Sequence, residues 1–475
     1  MASATVDTII MKDRHFFYET SGEPFFIKGV DYQPGGSAKV KAGQDPLSDI
    51  NKCARDIYLF QQLGINTIRV YSVDPKVNHD ECMSLLAAAG IYLVLDVNSP
   101  LEHQHLNNEE PWTTYTPMYL EHIFKVIDQF SSYPNTMAFL AGNEVIFDEK
   151  SAAASPNYVK AVVRDMKAYI TNHVARVIPV GYSNADDLKF RTSLAHYLEC
   201  GDEGFIDFFG VNSYQWCGDN TFKGSGYDKL VEDYSDYSLP VFFTEFGCNL
   251  VMPRQWQEID AIYSEDMTGV FSGGLVYEFT QGANEYGLVE LDNKLENLET
   301  LPDFTALVKA YAKTPKEVKI PASAKTVARP RQCPAEDDKI FDHITANLTL
   351  PTTLGQKYID KGVSGVTRGK LVEPKVLATK YQIKVDGKVV SDPKVKIVNK
   401  LDNDPLPSGG HGINTGGGVG DGEPSGEMTS RGNGAATKST NSDDKEGSAA
   451  VTAVSRGAVV AGSLAAVAIS FGVFL

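Results

Sequence analysis

Two glutamates end apolar runs. Glu144 follows Met137-Ala138-Phe139-Leu140-Ala141-Gly142-Asn143, and Glu245 follows Val241-Phe242-Phe243-Thr244. A carboxylate at the tip of a buried strand is costly unless it is solvated or functional. Either glutamate alone reads equally well as a solvated loop residue. Together they are the equipment of a glycosidase, in which one carboxyl protonates the leaving sugar oxygen and the other attacks the anomeric carbon. Other runs end in residues that hold hydroxyls: Tyr71, then Asp96 and Asn98, Asn143, Asn212 and Tyr214, and Tyr277-Glu278. Glu245, with Tyr214 and Tyr277 as hydroxyl donors, reads as the nucleophile. Glu144 reads as the acid and then the base, with Asn143 positioning a sugar 2-hydroxyl. Asp96 is either a sugar contact or a structural partner of Arg69. Glu278 is expected to point into the wall, away from Tyr277.

Those residues need a frame that gathers strand ends. Eight apolar runs fit: Phe25–Val30, Asn66–Val70, Tyr92–Asp96, Thr136–Asn143, Val177–Ser183, Phe205–Asn212, Val241–Glu245 and Gly274–Glu278. Near-continuous apolar runs suit strands buried on both faces. Helical patterns lie between them, among them Asp49–Leu63, Tyr119–Phe130 and Asn157–His173. Eight such units predict an α/β fold, a (β/α)8 barrel with its site at the C-terminal ends of the strands. A doubly wound sheet is the alternative, but no glycine-rich phosphate turn follows the first run. On this barrel, Glu144 and Glu245 end strands four and seven. Opposite sides of a narrow mouth would hold them roughly 5 Å apart, the spacing that goes with retention of configuration.

The expected domains are a catalytic barrel over 1–313, a β-rich appendage over 314–401, a stalk over 402–456 and a terminal apolar signal over 457–475. In the appendage, Tyr381–Val385 and Val395–Val398 look like strands. It forms either a small β unit or a wrap on the barrel, and Cys333 suggests a staple back to it. The stalk is glycine-rich and holds no Phe, Trp or Tyr, so it cannot bury a core.

Gly457–Leu475 carries no charge and follows the small triplet Gly447-Ser448-Ala449 and a spacer. That is the pattern of a glycosylphosphatidylinositol (GPI) anchor signal, with attachment at Gly447 or Ser448; a retained tail span is the alternative. The start, MASATVDTIIMKDRHF, lacks a basic and apolar secretion signal and is read as truncated or mis-assigned. The net charge of −17 argues against nucleic acid as a partner. The six cysteines show no C-x-x-C spacing and the nine histidines no H-E-x-x-H, so no metal and no cofactor are expected. Asn347-Leu348-Thr349 is a candidate glycosylation sequon.

The motifs FFIKGVDYQPGG (Phe25–Gly36), INTIRVYSVDP (Ile65–Pro75), AGNEV (Ala141–Val145), FFGVNSYQWCG (Phe208–Gly218), FFTEFGC (Phe242–Cys248) and GGLVYEF (Gly273–Phe279) occur in this order. The sequence resembles glycoside hydrolase family 72, the fungal cell-wall β-1,3-glucanosyltransferases, from about Phe16 to Ala312. The resemblance implies a retaining barrel with Glu144 as acid/base and Glu245 as nucleophile. It implies sugar contacts from Tyr71, Asp96, Asn143, Tyr214 and Tyr277. It also implies the pairings Cys53–Cys82, Cys217–Cys248 and Cys200–Cys333. With no cysteine after Cys333, the chain resembles the shorter subgroup without a cysteine-rich carbohydrate-binding module.

The implied partners are β-1,3-glucan donor and acceptor chains, and the plasma membrane through a lipid anchor. A monomer at the cell surface, in the wall, is expected. The two glutamates do not say whether water or a sugar hydroxyl takes the glycosyl group, so a hydrolytic endo-β-1,3-glucanase stays open. A non-catalytic glucan-binding wall protein is the reading from another class. Tyr115, Trp216 and Tyr286 are candidate platforms for an acceptor sugar.

Overall fold

The computed structural model describes residues 4–36, 40 and 45–401. The expected stalk, the anchor signal and the attachment site at Gly447 or Ser448 lie outside the described residues.

Eight strands close a parallel barrel. They are β1 (Ile27–Asp31), β2 (Thr67–Val70), β3 (Tyr92–Asp96), β4 (Thr136–Asn143), β5 (Val180–Asn184), β6 (Phe208–Ser213), β7 (Val241–Phe246) and β8 (Phe271–Val276). The ring closes where Val276 of β8 pairs with Val30 of β1. Nearly every strand residue is buried, which is why the sequence shows continuous apolar runs rather than alternation. Close strand packing also demands glycine at Gly273, where φ is +88° and a Cβ would fall 2.0 Å from the Ile27 carbonyl oxygen.

Several strand boundaries differ from the sequence reading: β5 and β6 begin three residues later, at Val180 and Phe208, β8 begins three residues earlier, at Phe271, and two further differences bear on the ends of the barrel. Pro24–Phe25 does not belong to β1. It pairs with His15–Tyr18, which pairs with Ile9–Lys12, in a three-stranded antiparallel sheet. This sheet covers the N-terminal end of the barrel. Phe16 sits with ring centroids 6.2 Å from Phe208 and 5.9 Å from Phe242, and Phe25 packs 5.2 Å from Tyr92. At the other boundary, β8 ends at Val276, so Tyr277 and Glu278 lie beyond the strand.

The outer helices follow their sequence signals. Helix Ile50–Leu63 starts where the Asp49 carboxylate accepts the Asn51 and Lys52 N–H groups, and ends at Gly64 with φ +67°. Cys53, Ala54, Ile57 and Phe60 are buried on its inner face. A disulfide from Cys53 to Cys82 ties it to helix Asp80–Ala88.

Beyond the last barrel helix, Pro302–Lys313, the chain wraps the barrel. The Tyr358 hydroxyl donates to Glu121, the Gly369 N–H to the Gln129 carbonyl, and the Val398 N–H to the Ala88 carbonyl. Strands Ile383–Val385 and Lys388–Val389 extend a sheet begun by Val289–Leu291 and Leu298–Thr300. Asn399–Lys400 pairs in parallel with Ala4–Thr5. Val395–Val398, expected as a strand, is an irregular segment: Val395 is buried and its N–H goes to the Leu377 carbonyl, while Ile397 and Val398 are exposed. The Cys200–Cys333 disulfide joins the wrap to the barrel. The wrap is thus built on barrel surfaces and has no separate core among the described residues.

Candidate active site

Glu245, near the end of β7, is held from three directions. The Tyr71 hydroxyl donates to its Oε1 at 2.7 Å, the Arg69 guanidinium donates to the same oxygen at 3.1 Å, and the Tyr214 hydroxyl donates to Oε2 at 2.5 Å. Arg69 on β2 is fully buried and organises the ring around it. Its guanidinium also reaches Asp96 Oδ2 at 2.9 Å, Asn143 Oδ1 at 2.9 Å and the Thr244 carbonyl at 3.2 Å. The Tyr71 ring lies 4.2 Å from the guanidinium carbon, a cation–π contact in a desolvated place. Of the two readings of Asp96, the pairing with Arg69 is therefore present. Burial raises the Asp96 pKa to about 6 against the pull of Arg69.

Glu144 directly follows β4. Its φ is +50°, a left-handed conformation that a residue with a Cβ adopts only where its surroundings hold it. Here the Glu144 N–H donates to the Ser183 carbonyl at 2.9 Å. Its Oε1 accepts the Asn212 amide at 2.7 Å. Burial first, and then the charge of Glu245, raise the Glu144 pKa to about 7; the Asn212 hydrogen bond and Arg69 oppose them. The two carboxyl groups thus stand in different surroundings, one within reach of a guanidinium and two phenols, the other within reach of an amide.

Beneath them lie residues that the sequence did not mark. Ser183 Oγ sits 2.7 Å from Asn143 Oδ1 and 2.9 Å from Thr244 Oγ1, and fixes the two strand ends that carry the glutamates. Asp31, the last residue of β1, is fully buried, and neither of its oxygens has a hydrogen-bond partner. Burial pushes its pKa well above the usual carboxylate range; Arg69 opposes this, and Glu245 and Asp96 add to it. Glu278 is buried as expected but does not point away from Tyr277: the Asn284 amide donates to Glu278 Oε1 at 3.1 Å and to the Tyr277 hydroxyl at 3.2 Å, because both residues lie beyond the end of β8, where strand alternation no longer applies. The Glu278 pKa rises to about 7, first through burial. Asp31, Asp96, Glu144 and Glu245 surround one guanidinium, that of Arg69, while the Arg254 guanidinium is the cation that opposes the rise at Glu278.

Tyr214, Tyr277 and Tyr286 form a half-exposed triangle at the mouth, with ring centroids 5.2 to 6.1 Å apart. Tyr277 accepts the Asn284 amide at 3.2 Å, and Tyr71 stands beside Tyr214 as a donor to Glu245. Two expected platforms are elsewhere. Tyr115 is buried and donates to Asp165 at 2.5 Å, and Trp216 is buried against Tyr227. Aromatic residues near a strand end carry no sequence mark that separates core from mouth. The Cys217–Cys248 disulfide clasps the loops after β6 and β7 next to this triangle. Among the described residues, no cluster of His, Cys, Asp and Glu could hold a metal ion.

A closed parallel barrel with acid groups at the ends of β4 and β7 defines a carbohydrate-active enzyme site. The model of glycoside hydrolase family 72, described as glucanosyltransferase, matches residues 1–315, and the chain belongs to this family. It is 53% identical over 381 residues to 1,3-beta-glucanosyltransferase GAS4 of Saccharomyces cerevisiae, covering 78% of this chain and 79% of that one. It is 44% identical over 404 residues to 1,3-beta-glucanosyltransferase gel2 of Aspergillus fumigatus, covering 84% of each. Among solved structures, Saccharomyces cerevisiae Gas2p in complex with laminaritriose and laminaritetraose aligns with a TM-score of 0.65 at 42% identity, covering 73% of this chain and 77% of that one.

Proposed function

We propose that this protein is a retaining β-1,3-glucanosyltransferase that works through a glycosyl-enzyme on Glu245. In the first half-reaction a Glu245 oxygen attacks the anomeric carbon of an internal glucosyl unit. The glycosidic C–O bond breaks, and the leaving oxygen takes the proton of Glu144. The aglycone leaves as a shortened chain. In the second half, the Glu144 carboxylate removes the proton from an acceptor 3-hydroxyl. That oxygen attacks the same carbon and releases Glu245. Two inversions give net retention, and the acceptor chain is elongated. Tyr71, Asp96, Asn143, Tyr214 and Tyr277 contact the sugar next to the cleaved bond.

The observation that carries this reading is the unequal treatment of the two carboxyls. Glu245 accepts from Arg69, Tyr71 and Tyr214, as a group that must present a lone pair in a fixed direction would. Glu144, with its pKa near 7, can both give and take a proton at neutral pH. The test is to incubate a short laminari-oligosaccharide with the protein and size the products. Products longer than the substrate are expected. Shorter products alone would mean hydrolysis, and none would mean binding without turnover. The names of the relatives GAS4 and gel2, both 1,3-beta-glucanosyltransferases, and the laminari-oligosaccharide complex of Gas2p support the same substrate class.

The same proposal extends to location. The protein acts as a monomer at the outer face of the plasma membrane, in the wall. Residues 457–475 are replaced by a lipid at Gly447 or Ser448, and residues 402–456 form the tether. Asn347, in a half-exposed loop, carries a glycan. Mass spectrometry of the membrane fraction checks the anchor: recovery of a peptide ending at Leu475 would count against it.

A further inference from the structure

An irregularity between β6 and β7 turns two consecutive residues of β7 into the barrel. Val211 pairs with Phe243 and Asn212 with Glu245, so Thr244 is left over between them, as in a bulge. The Phe243 ring lies 5.2 Å from Tyr227 of the outer helix Tyr227–Asp233, and Phe246 packs beside Phe243 on that side. Thr244 and Glu245 both face the interior, where plain alternation would have sent one of them outward. Gly210 of β6 makes room for the extra side chain. A Cβ there would fall 2.3 Å from Thr244 Cγ2 and 2.7 Å from Thr244 Oγ1.

That extra hydroxyl fixes the direction of the Asn212 amide. The Arg69 guanidinium, which only donates, reaches Asn143 Oδ1 at 2.9 Å, so this atom is an acceptor. Asn212 Nδ2 meets it at 3.3 Å and meets Glu144 Oε1 at 2.7 Å. The Asn212 oxygen faces the other way, where the Thr244 hydroxyl donates to it at 2.8 Å and Ser183 Oγ stands at 3.1 Å. Turned over, the amide would set its oxygen against two acceptors. Ser183, Asn212 and Thr244 are all buried, so water does not compete for these bonds. A hydrogen bond donated to a carboxyl group favours its charged form. Of the other groups around Glu144, Glu245 and Asp186 oppose ionisation through their charges and Arg69 favours it, while Tyr182 and Tyr214 are phenols kept neutral by burial.

We propose that Asn212 is a positioning residue for the second half-reaction: its amide, aimed by Asn143 on one side and Thr244 on the other, donates to Glu144 and favours the carboxylate that takes the proton of the incoming hydroxyl. The proposal rests on the reading of Glu144 as acid and then base, and adds that the two roles are served unequally. In the first half Glu144 must carry a proton, and the Asn212 bond works against it. In the second half the Glu245 charge is lost in the glycosyl ester, and the Asn212 bond holds Glu144 ready as base. Thr244 acts through Asn212 and touches neither carboxyl of the pair in this role.

The test compares Asn212→Ala and Thr244→Val with the native enzyme. With a laminari-oligosaccharyl fluoride as donor, the leaving group needs no proton, so the first turnover bypasses the acid and the steady rate reports the base. In Asn212→Ala the steady rate at pH 6 is expected to fall about tenfold more than the first turnover does, and to recover as pH rises. On unmodified laminari-oligosaccharides, the alkaline fall of the glycosylation rate should move up by about one pH unit, the size of one hydrogen bond. Thr244→Val trades the hydroxyl for a methyl group and should shift both readouts in the same direction by less, because Ser183 remains beside the Asn212 oxygen. It decides alone if Asn212→Ala does not fold. An equal loss in both halves with the alkaline limb in place, as a merely structural role would give, overturns the proposal, and so does no change in either. Failure of the underlying reading shows in the native enzyme, as the absence of a trappable glycosyl-enzyme. Whether water or a sugar takes the glycosyl group alters neither readout.

Discussion

The same eight strands build two opposite ends. At the N-terminal end, Phe16, Phe25, Ile27, Tyr92, Phe208, Phe242 and Leu275 form an apolar cluster under the antiparallel sheet. At the C-terminal end, on the same strands and just beyond them, stand Arg69, five carboxyl groups and the four phenols of Tyr71, Tyr214, Tyr277 and Tyr286. The contrast teaches why the polar end works. With one mouth closed by packed rings, water does not reach Arg69 or Asp31 from below, and charges at the other mouth interact in a medium far less screening than water. The raised pKa values of Asp96 and Glu144 follow first from burial at this end and are increased by the charge of Glu245.

Breaking the polar end should have the largest effect on turnover. Glu245→Gln and Glu144→Gln are each expected to lower kcat by about four orders of magnitude or more with thermal stability nearly unchanged. A glycosyl fluoride donor separates their roles, because fluoride leaves without a proton. Glu144→Gln should form a trappable glycosyl-enzyme with it and Glu245→Gln should not. In the native enzyme, the rate of glycosylation should fall as pH rises through about 7, where Glu144 loses its proton, and this limb should vanish in Glu144→Gln. Steady activity to pH 9 would contradict the acid role.

Breaking the apolar end should do the reverse. Phe16→Ala removes a fully buried ring and is expected to destabilise the fold by about 3–5 kcal/mol, read as a drop in the chemical unfolding midpoint. At temperatures where the variant stays folded, KM should hold within about twofold. An equal loss of kcat with no loss of stability would show that the two ends are not separable in this way.

The clasp at the polar mouth comes next. Replacing Cys217 and Cys248 by Ser opens a loop of sequence separation 31, with an expected loss of roughly 2–4 kcal/mol. Activity should fall more steeply with temperature than global unfolding does, since Tyr214 and Glu245 sit on the clasped elements. Coincident loss of both would assign the disulfide to global stability alone.

The smallest effect sharpens the comparison most. Asp31 binds a proton in the folded protein at pH values where the unfolded chain has lost it, so its contribution to stability falls as pH rises above the ordinary carboxylate range. Asp31→Asn has no proton to retain. The stability difference between variant and native protein should therefore grow in favour of the variant from about pH 4 upward, by at most about 1.4 kcal/mol per pH unit. A constant difference across pH 4–8 would mean that Asp31 titrates alike in both states.

How far the sequence announces this arrangement depends on the kind of signal. Glu144 and Glu245 are legible because each interrupts an apolar run, and the strands because both their faces are buried. Asp31 also ends an apolar strand, but it stands in a turn-like stretch, Asp31-Tyr32-Gln33-Pro34, where an acid draws no notice. Ser183 acts through hydroxyl contacts to strands far away in sequence, and no local pattern encodes those. Tyr115, Trp216 and Tyr286 look alike as residue types; only the fold buries the first two and leaves the third beside Tyr214. The unbroken run Phe25–Val30 assigns Phe25 to β1 on sequence alone; the pairing of Phe25 with Phe16 is a tertiary fact.

Closure of the barrel has a consequence for the birth of the protein. β1 pairs with β8, and Gly273 meets Ile27 across nearly 250 residues of chain. Contacts of such sequence separation form late and slowly. During synthesis, Phe16 and Phe25 emerge long before Phe208, Phe242 and β8 exist to cover them, and stand as apolar surface that a chaperone must shield. The donors to Glu245 come from β2, from just after it and from beyond β6, so the ring of side chains around Glu245 is assembled only once most of the barrel is in register. Enzymatic activity in a nascent or refolding chain is thus a clock for ring closure, and it starts after secondary structure has formed.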